Sequence, residues 1–383
     1  MTRIHQMARA DPAGRRPSEG GISTNVWIML GVLVVAGGIL VFTILSTRGK
    51  TSQPDSADTG EPVNGGTRTS STPTKTGSSS GSIASGSDFL ESLAASYSMT
   101  PAKVTDLPPP STAIPSPTPA MDYMKSAWSL SNPSVQEFAS FVEDPLEDSG
   151  DVVLSIEYPK GSYSGGAKGG ANMRMNVFGE GKMRAMISYQ VGFEEGFDFV
   201  KGGKLAGLFG GDPSDGCTGG KGSEACFSAR FMWRENGDGE VYAYLPTYEG
   251  QCSEELSTTS VYCHDKFGQS FNRGSFRFEV AKWNTITEVA ILNSKPSTSD
   301  TEANGYLAVY HEETLAFERS DVVYRTNSSV SFSSVLFQTF FGGSTEDYAS
   351  PVLTHTYYKN WKFFEGDDAS TELGKSVVAS MQG

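Results

Sequence analysis

The chain has 383 residues, of which only 37% are hydrophobic, while 43 are glycine and 19 are proline. This composition favours an all-β domain with many turns over a helical bundle. The net charge of −14 argues against nucleic acid as a partner and against adhesion to anionic lipid through a basic face, since both need clustered cations.

Residues 26–46 predict a membrane-spanning helix that follows a cytoplasmic tail, residues 1–25. Val26 to Leu45 carry no charge, and a helix of this length crosses a hydrocarbon layer of about 30 Å. Four arginines precede the stretch and two basic residues follow it, a modest bias toward a cytoplasmic N-terminus. A cleaved signal peptide is the alternative, although its apolar core is normally shorter. We expect a single-pass membrane protein with the rest of the chain outside the cell or in the secretory lumen.

The remainder divides into a stalk, a folded domain and a tail. Residues 47–120 are rich in Ser, Thr, Gly and Pro and cannot repay the entropy of ordering, so a disordered stalk is expected. Over residues 121–366, short β-type runs such as Val152–Tyr158 alternate with turn residues. This pattern predicts a two-sheet β-sandwich of jelly-roll type. Residues 367–383 are polar and are expected to fray.

Four cysteines lie within the predicted domain, at Cys217, Cys226, Cys252 and Cys263. None has the C-x-x-C spacing of a metal site. In an oxidising compartment they would form two disulfides, and Cys217–Cys226 with Cys252–Cys263 is the sequence-local choice among three connectivities. Four buried free thiols are the alternative.

Asn327 begins the single glycosylation sequon, Asn327-Ser328-Ser329, which is consistent with a lumenal domain. The histidines show no metal-ligand spacing. The sequence therefore predicts no metal site and no cofactor.

The segment Phe227 to Pro246 predicts a hairpin with functional groups on one face. Alternation places Ser228 and Arg230 on the polar side of the first strand, and Tyr242 and Tyr244 on that of the second. Keeping both apolar sets inward requires opposed residue numbers with an even sum, so a two-residue turn is excluded and a three- or five-residue loop or a bulge is predicted. The four side chains then share one exposed face, which favours a ligand surface over a merely solvated one.

A glycine-rich block, Phe197 to Gly211, precedes the hairpin and contains Lys201 and Lys204. The two lysines would point to opposite faces of a regular strand, and the glycines between them allow a bulge that turns either one inward. No phosphate-binding motif is present.

Several blocks in order resemble polysaccharide lyase family 14, the alginate and glucuronan lyases. They are KGGKLAGL, GCTGG, SAR, MWR, EVYAYLP, RGSFRF, KWNTI and FQTFFGG, and they span roughly residues 151–364. Ala206 departs from the usual KGGKLPG. The resemblance implies a β-jelly-roll that cleaves 1,4-linked uronate polymers by β-elimination. It also implies functional roles for one of the two lysines, Lys201 or Lys204. The four side chains of the hairpin face are implied to be functional as well: Ser228, Arg230, Tyr242 and Tyr244.

β-Elimination gives these residue types their tasks. The uronate carboxylate must be neutralised, a base must remove the C5 proton, and an acid must protonate the leaving oxygen at C4. Arg230 suits the first task, with Ser228 as a further donor. A tyrosine and lysine pair would supply base and acid, in an order that the sequence leaves open.

Arg234, Arg273 and Arg277 are candidates for the basic groove that an acidic polysaccharide partner requires. The sequence thus predicts a membrane-tethered polysaccharide lyase. The alternative is a non-catalytic, lectin-like module that uses the same arginine and tyrosines only to bind sugar.

Overall fold

The computed structural model describes residues 86–128, 130–135, 137–212, 214, 216–264 and 266–381. The predicted cytoplasmic tail, the membrane-spanning helix and the stalk up to residue 85 lie outside the described residues. Within the described ranges, no helix has the length and apolar character needed to cross a bilayer.

The described chain forms α-helices α1 (Gly86–Ser96) and α2 (Pro117–Ala127) and the following strands. They are β1 (Thr100–Pro101), β2 (Leu130–Val135), β3 (Ala139–Glu143), β4 (Val152–Tyr158), β5 (Ala171–Met175), β6 (Arg184–Phe193), β7 (Gly202–Gly211), β8 (Cys226–Arg234), β9 (Asp238–Tyr244), β10 (Pro246–Tyr248), β11 (Val261–Cys263), β12 (Gln269–Arg277), β13 (Trp283–Ile291), β14 (Thr301–Ala303), β15 (Gly305–His311), β16 (Thr314–Val322), β17 (Phe332–Phe341), β18 (Thr354–Gly366), β19 (Lys375–Val377) and β20 (Ala379–Met381).

Two large antiparallel sheets contain most of these strands. The back sheet has the order β16-β15-β13-β6-β18-β4-β3, with β1 paired to β18. The front sheet has the order β11-β12-β9-β8-β7-β17-β5-β2. The sheets pack face to face, since Tyr189 of the back sheet meets Phe231 of the front sheet with ring centroids 6.2 Å apart. The predicted all-β, two-sheet arrangement is confirmed.

Ordered structure begins well before the predicted end of the stalk. Helix α1 places Leu90, Leu93 and Ala94 against the far side of the back sheet, where Val289 and Phe364 form part of the same apolar cluster. The prediction of disorder up to residue 120 is therefore wrong from residue 86 onward. Its few apolar side chains suffice because they cover an apolar sheet surface, which composition alone cannot show.

The polar C-terminal segment is also ordered. Strand β19 pairs with β14, and β20 pairs with β10. Val377 and Ala379 are buried in a small apolar cluster. The expected fraying is corrected for residues 375–381, because main-chain pairing and these two side chains hold an otherwise polar segment.

Both disulfides have the sequence-local connectivity, Cys217–Cys226 and Cys252–Cys263. No free cysteine remains among the described residues. Asn327 is exposed in a turn where its side chain accepts the Ser329 N–H at 3.0 Å. Glycosylation there stays a prediction.

Candidate active site

The predicted hairpin is formed by β8 and β9. Ser228 lies opposite Tyr244, and Arg230 lies opposite Tyr242, so both sums are even as the parity argument requires. The three residues Glu235–Gly237 join the strands as a single 3-10 turn. All four side chains share the face of the front sheet that is directed away from the core, which we name the outer face.

The outer face is buried at these positions, contrary to the predicted exposure. Ser228, Arg230 and Tyr244 are 0%, 1% and 6% exposed. The disulfide loop, residues 217–226, packs over Tyr244 together with Met381 of β20. The prediction was wrong because it considered the hairpin alone, whereas this cover comes from other segments. Two surface cavities of about 180 and 600 Å³ are lined by none of these side chains.

The structure brings one of the two candidate lysines to the site. Lys204 pairs with Met232 in the sheet and is only 7% exposed. Its Nζ lies 3.4 Å from the centroid of the Tyr242 ring and 2.8 Å from the Met232 Sδ. Lys201 is half exposed and pairs with Asp347. Lys201 is therefore separate from the hairpin face, and Lys204 belongs to it.

The charge state of Lys204 follows from its surroundings. Burial lowers its pKa well below the ordinary value, and repulsion from Arg230 and Arg234 lowers it further, while Glu240 opposes the shift. The Tyr242 ring favours the ammonium form by about 0.5–2 kcal/mol, which is less than the combined cost of desolvation and cationic neighbours. Lys204 is thus a buried amine with a readily lost proton.

A bulge in β7 follows Lys204. Lys204 pairs with Met232 and Gly207 pairs with Arg230. Residues 205–206 therefore stand opposite a single residue of β8. The bulge therefore fixes the position of the Lys204 side chain relative to that of Arg230.

The back sheet holds this bulge from across the core. The Tyr189 hydroxyl donates to the Ala206 carbonyl at 3.0 Å, and the Leu208 N–H donates to the Glu288 carboxyl at 3.3 Å. Glu288 is fully buried, and burial raises its pKa well above the ordinary value. Burial therefore favours the protonated, neutral form of this carboxyl. Neither residue has a sequence signal, since only the sheet packing brings them to β7.

Arg230 is a buried guanidinium that forms no salt bridge among the described residues. Its Nη1 donates to the Gln338 side-chain oxygen, and its Nε has no partner in the described part of the chain. Burial lowers the pKa of Arg230 to about 10, so it remains charged at neutral pH. Sequence reasoning missed Gln338, although it lies in the FQTFFGG block; it donates in turn to Asn172 at 2.9 Å.

The two tyrosines differ in their surroundings. Burial and the neighbouring Tyr244 raise the pKa of Tyr242. The Tyr244 oxygen accepts the Gly220 N–H at 2.9 Å, and its ring lies 5.9 Å from the Arg230 guanidinium carbon. Tyr244, whose hydroxyl oxygen is fixed by this contact, is therefore the candidate proton donor of the pair.

Ser228 has a structural partner. Its hydroxyl donates to the Cys217 carbonyl at 2.7 Å. A hydroxyl has a single proton to donate, so Ser228 cannot also donate to a substrate carboxylate while this bond exists. In this conformation Ser228 holds the disulfide loop, and its role as a donor to the substrate stays a prediction.

The three candidate groove arginines separate into two groups. Arg234 and Arg273 both pair with the buried carboxylate of Glu240, at 2.5 and 2.6 Å. Burial raises the pKa of Glu240, but the two arginines outweigh this effect and leave it below the ordinary value. Arg277 is exposed and pairs with Asp238, so the structure does not bring it to the site. Sequence reasoning missed Glu240, although strand alternation places it on the same face as Tyr242.

The outer face thus combines an unpaired buried cation, a buried amine and a tyrosine hydroxyl. These groups can neutralise a carboxylate, accept a proton and donate one. No cluster of three or more metal-ligating side chains occurs in the part of the chain that the structure describes.

Comparison with known proteins gives a consistent set of matches. The model of the family "Polysaccharide lyase 14" matches residues 146–361. A marine PL-14 alginate lyase from Aplysia kurodai is 30% identical with a TM-score of 0.57, and the match covers 69% of this chain and 100% of that one. No curated protein sequence matches the chain.

Two further solved structures show the same fold. Alginate lyase vAL-1 from Chlorella virus is 20% identical with a TM-score of 0.52, and the match covers 67% of this chain and 99% of that one. A mutant of alginate lyase Aly36B in complex with an alginate trisaccharide is 18% identical with a TM-score of 0.51, covering 69% and 98%.

Proposed function

Because the chain belongs to polysaccharide lyase family 14 and is a polysaccharide lyase, we propose that it cleaves a 1,4-linked uronate polymer of the alginate or glucuronan type on the outer face. The observation that carries this proposal is the trio of Lys204, Arg230 and Tyr244. Lys204 and Arg230 are both buried on one face, and neither forms a salt bridge with a described residue. The buried cation of Arg230 without an anion is unfavourable in the free protein, and an anionic substrate relieves that cost.

Arg230 neutralises the substrate carboxylate in this scheme. Its planar guanidinium suits two parallel hydrogen bonds to a carboxylate. Gln338 fixes one edge of it, so the group does not need to reorganise as negative charge builds on the carboxylate during proton removal.

Lys204 acts as the base and Tyr244 as the acid. The neutral amine of Lys204 takes the C5 proton, and the electrons of that C–H bond form the C4–C5 double bond. The C4–O bond breaks, and the leaving oxygen takes the Tyr244 proton. The resulting phenolate is stabilised by the Gly220 N–H, and it recovers a proton from the Lys204 ammonium through solvent. Tyr242 does not serve as base, since its raised pKa keeps it protonated.

The unsaturated product absorbs in the ultraviolet, which gives a direct assay. We expect the absorbance to rise when the wild-type chain is mixed with polyglucuronate or alginate. Tyr244→Phe and Arg230→Ala should each reduce kcat/KM by about 100-fold or more, while Arg277→Ala, which alters an arginine away from the site, should match wild type. Absence of any rise with both polymers, or an unchanged rate for Tyr244→Phe, would contradict the proposal.

We further propose that residues 26–46 anchor the enzyme in a membrane with the domain on the extracytoplasmic side. The uncharged stretch Val26 to Leu45 and the two disulfides support this location. The full chain should stay with membranes after alkaline carbonate extraction, and deletion of residues 26–46 should release it. Release of the full chain by carbonate would refute the anchor.

A further inference from the structure

A second arginine lies on the outer face in the same cross-strand row as Arg230. Arg230 pairs with Gly207, Gly207 with Leu336, and Leu336 with Arg174 of β5. Directly opposed residues share a face, so Arg174 and Arg230 point to the same side of the front sheet. Three strand spacings separate them, about 14 Å between backbones.

Arg174 is held in place without an anion. Its guanidinium carbon lies 3.9 Å from the centroid of the Phe209 ring, and its Nη1 lies 3.3 Å from the Ser334 Oγ. It is partly buried, and no salt bridge to it is formed by any described carboxylate. Burial lowers its pKa to about 10, with a weak opposing effect of Asp212, so the group is charged at neutral pH.

This environment is typical of a binding residue. Stacking on a ring fixes the plane of the guanidinium, which reduces the entropy that is lost when it binds a second planar group. A partly desolvated cation gains more from an incoming anion than a fully solvated one. The remaining donors of Arg174 therefore suit a carboxylate.

Gly207 and Leu336 stand between the two arginines in their row, and two polar side chains lie in the next row of the same face. Gln338 accepts from Arg230 and donates to Asn172 at 2.9 Å, and both amides are partly exposed on the outer face. Gly207 contributes no side chain to the row of the arginines. The position requires glycine, because a Cβ there would lie 2.2 Å from the Ala229 carbonyl oxygen. The two amides thus offer hydrogen bonds beside the row, and the row has no side chain at its position on β7.

We propose that Arg174 binds the carboxylate of a second uronate residue, so that the polymer lies across the strands from β9 toward β5. This inference rests on the proposed function, since it assigns a second carboxylate subsite to the same substrate. A polymer that carries a carboxylate on every sugar presents several anions along its length. Two fixed guanidiniums in one row then set its direction on the sheet.

The test uses the full chain and compares Arg174→Gln with wild type and with Arg277→Gln, an exposed arginine that is paired with Asp238 at the turn end of the hairpin. On long uronan we expect Arg174→Gln to raise KM about 10- to 100-fold, since hydrogen bonds to charged groups contribute about 1.5–3 kcal/mol. The kcat should stay within about twofold of wild type. Added salt should raise KM more for wild type than for Arg174→Gln.

Chain length separates binding from general damage. Oligomers too short to span the roughly 14 Å between the two arginines cannot contact Arg174, so Arg174→Gln should cleave them at the wild-type rate. Arg174→Lys, which keeps the charge, should recover part of the affinity for long chains. An unchanged KM on long uronan, or an equal loss at every chain length, would overturn the subsite. If wild type itself cleaves no uronan, the proposed function fails instead.

Discussion

Replacing Glu288 by Gln tests how the back sheet supports the active site. Glu288 is fully buried, and one of its oxygens accepts the Leu208 N–H at 3.3 Å. Its other oxygen has no hydrogen-bond partner among the described residues. A glutamine keeps the shape and the acceptor, but it cannot ionise. The substitution therefore tests the effect of the ionisation of this carboxyl on stability.

The sign of the effect follows from the raised pKa of Glu288. In the unfolded chain a glutamate ionises near pH 4.3. Above that pH, and up to its raised pKa, the folded state holds a proton that the unfolded state has lost. The stability of wild type thus falls by about 1.4 kcal/mol per pH unit through this residue, and Glu288→Gln does not share the loss. The advantage of Glu288→Gln over wild type should therefore grow as the pH rises from 5 to 7.

Urea unfolding at pH 5, 6 and 7 measures this advantage. Trp128, Trp233 and Trp361 are buried, so tryptophan fluorescence should report the transition. Glu249→Gln, an exposed glutamate, is the matched control and should show no pH-dependent difference from wild type. A difference between Glu288→Gln and wild type that stays constant with pH would refute a buried neutral carboxyl at this position.

A companion variant connects the same residue to catalysis. Glu288→Leu removes the acceptor and leaves the Leu208 N–H buried without a partner, which costs about 1–3 kcal/mol. Because that N–H closes the bulge after Lys204, kcat should fall, whereas Glu288→Gln should retain it. If both variants are folded and have equal kcat, the hydrogen bond at the bulge does not affect the reaction.

Three further predictions concern the site itself. Lys204→Met should lower kcat by about 100- to 10,000-fold through loss of the base and raise the melting temperature, since burial of an amine is removed; retained turnover would exclude Lys204 as base. Arg273→Gln should move the rising limb of the kcat/KM pH profile to higher pH, because Arg273 is among the cations that lower the pKa of Lys204; a shift to lower pH would contradict this electrostatic account. Replacing both Cys217 and Cys226 by Ala should reduce stability by about 2.5 kcal/mol for a loop of this length and slow turnover, whereas opening of the other disulfide should affect stability alone.

The hairpin face could be predicted because its information is local. The parity of opposed residues fixes which side chains of β8 and β9 share a face, whatever surrounds them. Ser228, Arg230, Tyr242 and Tyr244 therefore come together in the structure as the sequence indicates. The disulfide pairs were accessible for the same reason, since each closes a short segment.

The choice between Lys201 and Lys204 could not be made in that way. It depends on Asp347, which pairs with Lys201 from a segment 146 residues away, and on the strand register that places Lys204 beside Met232. The burial of the face depends on Gly220 and the C-terminal strand, which alternation within the hairpin cannot represent. The sequence indicates that Arg174 points away from the core, since it is the polar residue between Met173 and Met175. Its alignment with Arg230 depends on the order of the strands in the sheet, which the sequence does not show.

Both sheets therefore contribute to the proposed active site, although every group proposed to react lies on the front sheet. Lys204 is a useful base only where burial and neighbouring cations make its proton easy to lose, and Arg230 is useful only as an unpaired cation. Each of these features destabilises the free fold, so the core beneath must offset the cost. Tyr189 and Glu288 hold the bulge in β7 from the opposite layer. Substitutions in the core, far from the substrate, should consequently alter turnover before they unfold the protein.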